Sequence, residues 1–117
     1  MKIELLLIQG SYYLLSGLWP LVDIQSFQAV TGPKSDLWLV KTVGALISTI
    51  SLPILVCAVS GRILGEIILL AVASAAVLGA VDVIYCFGGV ISPVYLADAA
   101  LEAMLLCLWL YAYLRYR

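Results

Sequence analysis

Histidine is absent from this chain of 117 residues. Its absence removes the commonest general base, the commonest transition-metal ligand and the usual axial ligand of a membrane haem, so neither a metal nor a cofactor is expected. Charge is scarce too. Only 11% of the residues are Asp, Glu, Lys or Arg, and the net charge is −1. Nothing in that balance offers a nucleic-acid-binding face or calls for a polyanionic partner. Cysteine occurs three times, as Cys57, Cys86 and Cys107. These lie far apart in apolar segments and form no C-x-x-C pair, so they read as packing residues, not as a redox couple.

What the chain does have is hydrophobic length. Apolar side chains make up 65% of it and the mean hydropathy is +1.16, a composition that belongs in a membrane. About 20 apolar residues cross a hydrocarbon core as a helix. Four such runs occur, at 3–22, 37–59, 63–87 and 93–114, and they fill the chain as one domain, 1–117. Lipid offers unsatisfied backbone no partner, so each run must be helical. The expected fold is therefore all-α, an integral membrane four-helix bundle. The breaks carry turn chemistry: a long outer loop at 23–36 ("DIQSFQAVTGPKSD"), a tight "SGR" at 60–62 and "GGVISP" at 88–93. The first run lacks a clear A-x-A cleavage site and reads as a retained helix.

With four spans, both termini and the 60–62 turn share one side, which holds Lys2, Arg62, Arg115 and Arg117. The other side holds Lys34, with Lys41 just inside the membrane. The positive-inside rule then puts both termini in the cytoplasm, and a bacterial cytoplasmic (inner) membrane is the expected location. Tyr111, Tyr113 and Tyr116 suit an inner interfacial belt, and Trp19 and Trp38 an outer one. "SDLWLVK" (35–41) also lines up with "SPVYLAD" (92–98), which would make the bundle two similar helical hairpins with Lys41 and Asp98 in equivalent places.

The informative residues are the charges within the spans. Asp98 and Glu102 stand one turn apart in "VYLADAALEAMLL". Lys41 and Asp82 lie at a depth similar to that of Asp98, and Glu102 is deeper. An ionised side chain at a helix centre costs roughly 2.5–3.5 kcal/mol to insert, so such groups face the bundle interior and find partners. Helical periodicity agrees. Asp82 falls in a stripe with Ala71, Ala75, Gly79 and Cys86. Asp98 shares a face with Tyr95, Glu102, Leu105 and Trp109, and Lys41 one with Gly44, Ala45, Ser48 and Leu52. The first span presents Gln9, Tyr13, Ser16, Pro20 and Asp23. The expected site therefore joins Lys41, Asp82, Tyr95, Asp98 and Glu102, lined by Gln9, Tyr13, Ser16, Asp23 and Ser48. One carboxyl pairs with Lys41, and the remaining negative charge calls for a proton, a bound cation or a ligand amine. Arg62 and Glu66 read as a surface ion pair.

In organisation the chain resembles the DoxX-like group of small bacterial four-helix membrane proteins. The first helix "QGSYYLLSGLWP", the loop "TGPK" and the "KTVG" of the second helix carry the likeness. That group is functionally mixed and often supplies accessory subunits, so the resemblance implies no site residue. Small multidrug-resistance transporters match in size, but they place an essential Glu mid-way along the first helix, where this chain has none. Three function classes follow. The first is a small-molecule or lipid binding or accessory protein with an outer-facing acidic pocket. The second is a proton- or cation-coupled transporter built as a homodimer, and the third an intramembrane acid–base enzyme acting on a lipid. Polar residues are sparse beyond Glu102, which disfavours a through-path and puts binding, to membrane lipids, a small ligand or a partner membrane protein, first.

Overall fold

The computed structural model describes residues 1–116 and contains five helices: α1 (Lys2–Val22), α2 (Ile24–Thr31), α3 (Leu37–Ser60), α4 (Gly65–Phe87) and α5 (Tyr95–Tyr116). Arg117 and the Tyr116 side chain, assigned above to the positive side and the inner belt, lie outside the described residues. Helices α1, α3, α4 and α5 are each long and apolar enough to cross a bilayer, at positions close to the expected runs. The longest dimension is 44 Å, about the thickness of a bilayer with its headgroups.

The helices pair unequally. α1 packs most extensively on α3 and α4 on α5, while α1 against α5 and α3 against α4 make slighter contacts. Two antiparallel hairpins thus lie side by side in a flat bundle, 27 Å by 18 Å in section. α1 and α3 approach closely because Gly17 and Gly44 face each other. A Cβ on Gly44 would stand 2.5 Å from the Gly17 carbonyl oxygen, and one on Gly17 would stand 2.7 Å from the Gly44 carbonyl oxygen. Small residues at such a crossing let backbones touch, the main route to packing energy where lipid removes the hydrophobic drive. Toward the termini, Leu5, Leu6, Ile54, Cys57, Ala58, Ala71, Trp109 and Ala112 close the core.

The stretch 23–36, read above as a loop, contains α2. Asp23 starts it by accepting a hydrogen bond from the Ser26 backbone N–H at 3.2 Å, a side-chain N-cap. Gly32 ends it at φ +101°, a conformation open to glycine. Trp19 pins it to α1: the indole N–H donates to Ser26 Oγ at 2.9 Å, and the ring meets Phe27 edge-on at 5.3 Å. Lys34 then secures its carbonyl end. Its ammonium donates to the Thr31 and Gly32 carbonyls, each at 3.0 Å, and lies 5.8 Å from the Phe27 ring and 5.1 Å from the Tyr95 ring. A cation there suits both the helix C-terminus and the aromatic faces.

Glycine 44 has backbone on its far side that cannot give way. Gly44→Ala should lower stability in lipid by about 1–3 kcal/mol, the usual cost of overpacking. Gly65→Ala, where a Cβ meets nothing within 4 Å, should be near neutral. Reversible unfolding of both variants in bicelles measures the difference.

Candidate functional site

On α4 the buried residues are Ala71, Ala75 and Asp82, the interior stripe expected from periodicity. On α5, Ala99, Glu102, Leu105, Trp109 and Ala112 are buried and Asp98 is half-buried. Against both helices lies α1, which brings two consecutive tyrosines. The Tyr12 hydroxyl donates to Asp98 Oδ1. The Tyr13 hydroxyl donates to Glu102 Oε2 at 2.8 Å, both residues being fully buried. Gly79 makes room for this acid, since a Cβ there would sit 3.3 Å from Glu102 Cβ.

Asp82, Asp98 and Glu102 thus come together where α4 and α5 face α1. Asp82 is 6% exposed, with Asp98 within hydrogen-bonding reach across the α4–α5 contact. Its Oδ2 has no hydrogen-bond partner. On the side toward the termini a polar clasp crosses three helices. Gln9 donates through Nε2 to the Ala71 carbonyl at 2.8 Å and accepts from the Trp109 indole N–H at 2.8 Å. Gln9 is fully buried and both ends of its amide are engaged, so the core continues below the acids without a polar gap.

Lys41 does not join the site. It is exposed, and no carboxylate lies within 4 Å of it; among the described residues the ion pair present is the N-terminal ammonium with Glu4 at 2.7 Å. The Gly17–Gly44 contact sets the rotation of α3 and turns Gly44, Ser51 and Ile54 inward, which leaves Lys41 on the flank. Near a helix start it can reach the interface along its own stem. Arg62 and Glu66 do not pair either.

Four other expected members have different places. Tyr95 faces Lys34 at the α2 end, and Asp23 is exposed and caps α2. Ser16 donates to the Tyr12 carbonyl of its own helix at 2.7 Å. Ser48 donates to the Gly44 carbonyl at 2.8 Å, at the α1–α3 contact. Gln9 and Tyr13 hold the places expected of them. Tyr12 is the member the sequence reading passed over. Its signal was present, since it lies three residues after Gln9 and four before Ser16, on the flank of the same face.

Chemically, the site offers clustered carboxyl oxygens, hydroxyl donors and no cation. Among the described residues no group of three or more His, Cys, Asp or Glu side chains is arranged to hold a metal ion. Comparison with protein-family models, with curated proteins and with solved structures finds no match.

Tyr13→Phe leaves a fully buried carboxyl without its donor and should cost about 1–3 kcal/mol. Tyr12→Phe, beside the half-buried Asp98, should cost less, and Tyr111→Phe on the exposed face should cost nothing measurable. A double-mutant cycle of Tyr13→Phe with Glu102→Gln isolates the pair from general packing loss.

Proposed function

We propose that this protein binds a small molecule or lipid within the membrane, alone or as the accessory subunit of a partner membrane protein. Its ligand site is the carboxyl–tyrosine cluster of α1, α4 and α5. One observation carries the reading: the acids are covered on the side of the termini, and exposure within the cluster is confined to Asp98 and Tyr12. Gln9, Trp109 and the apolar core lie beneath them, whereas Asp98 and Tyr12 remain half-buried. A cluster whose acids are partly exposed at Asp98 alone suits binding and release. Coupled transport needs polar groups beyond Glu102, and there Gln9 is committed at both ends of its amide.

The same reading puts the chain in a bacterial cytoplasmic membrane with both termini inside. Lys2, Arg62 and Arg115 at that end, against Lys34 and Lys41 at the other, support this orientation. Single cysteines introduced at Ser60 and at Ala29, with Cys57, Cys86 and Cys107 replaced by Ala, test it. In intact cells, a membrane-impermeant maleimide should label position 29 and spare position 60; the reverse pattern inverts the topology.

The binding reading is tested by native mass spectrometry of protein released gently from its membrane. Wild type should carry a bound small molecule or lipid, and Asp98→Asn should lose most of it. A wild-type protein with no retained ligand, whose unfolding temperature no membrane extract raises, would falsify the reading.

A further inference from the structure

The hydrogen bonds of the cluster leave one acceptor over. From α1, Tyr12 donates to Asp98 and Tyr13 to Glu102. From α5, Asp98 and Glu102 bring only carboxyls. Asp82 Oδ2, on a residue 6% exposed, receives nothing. α3 supplies no charge, because Lys41 points away, and Lys34 is spent on the carbonyl end of α2. A buried carboxyl oxygen without a donor is costly, so its retention marks the place of a donor from outside the chain. Beside three acids with no neighbouring cation, a positively charged donor would offset the charge as well as supply the hydrogen bond.

The chemistry narrows further. No three-ligand metal arrangement occurs among the described residues. A quaternary ammonium has the charge but no N–H. A primary ammonium has both: three N–H groups, one for Asp82 Oδ2 and two for the oxygens of Asp98 and Glu102 that the tyrosines leave free. A groove of about 400 Å³ runs between α4 and α5, lined by Ala75, Gly79, Val83, Ala99, Ala103 and Leu106 and by none of the three acids. Gly79 and Val83 bracket Asp82 in sequence, and Ala99 and Ala103 bracket Glu102. An alkyl body therefore has a berth at a similar depth, on the exposed side of the same two helices.

We propose that the cluster binds the primary ammonium group of an amine, paired with Asp82, with Asp98 and Glu102 sharing its remaining N–H groups. This rests on the ligand-binding reading above and names its ligand class. A lipid headgroup and a free amine present the same group.

The test uses the full chain in phosphatidylcholine nanodiscs, whose lipid has no primary amine, and radiolabelled dodecylamine as the probe. Wild type should bind it saturably. Asp82→Asn and Asp98→Asn, accepted only if their unfolding midpoints stay near that of wild type, should each weaken binding at least tenfold, and Asp82→Glu should restore part of it. Dodecyltrimethylammonium and dodecanol should compete at least tenfold less well. Competition by butylamine as strong as by dodecylamine identifies a free amine as the source; much weaker competition identifies a lipidic one. Saturable binding that is unchanged in Asp82→Asn, or absent from wild type, overturns the proposal. Should dodecanol instead bind saturably in an Asp82-dependent way, the ligand site stands and the ammonium falls. Should no probe depend on Asp82 or Asp98, both fall.

Discussion

A carboxyl inside hydrocarbon has no water to turn to, and every partner it finds must be held there by the protein. That constraint organises this bundle. Between the two hairpins an apolar core closes the end toward the termini, and beyond it what crosses from α1 to α4 and α5 is polar: two tyrosine hydroxyls, a glutamine amide and an indole N–H. Individual interhelical hydrogen bonds in membranes are modest, about 0.6 kcal/mol on average in measured cycles. Several acting together at one seam still define a register, because sliding by one turn would strand each donor and acceptor at once.

α1 can serve both partners because its two faces differ in kind. Toward α3 it presents Gly10 and Gly17, where leucine, serine and backbone atoms of α3 come as close as a Cβ would lie. Toward α4 and α5 it presents Gln9, Tyr12 and Tyr13, side chains long enough to bridge a looser gap and polar at the tip. Close packing on one side and directional bonding on the other require opposite residue types. Both fit within "QGSYYLLSG" because neighbouring positions on a helix point in different directions.

Periodicity makes much of this legible in the sequence. The four spans, the buried stripe of Ala71, Ala75 and Asp82, and the shared face of Asp98, Glu102, Leu105 and Trp109 all follow from the 3.6-residue repeat and the cost of burying charge. Lys41 escaped the same logic. Near the start of a span, a long cationic side chain has the interface as an alternative to a partner, and only the contact between Gly17 and Gly44 decides which way α3 turns. Tyr12 was hidden by its neighbour: two tyrosines in a row look like one inward and one outward, yet both reach the acids from adjacent positions. α2 was hidden by its brevity, since eight residues with a capping Asp resemble any polar connection until Trp19 and Lys34 fasten the two ends. Composition carries no sign of the unpartnered Asp82 oxygen, which exists only once three helices have met.

The unequal pairing of the helices also bears on assembly. α1, α2 and α3 complete one another through glycine contacts and the Trp19 and Lys34 fastenings, all within the first 60 residues. α4 and α5 form a second unit whose acids, before docking, have only each other for company. Their hydroxyl partners sit on a helix made earlier. The joining of the two hairpins is what gives these acids their hydroxyl donors, so burial of the charge and completion of the fold depend on one and the same contact.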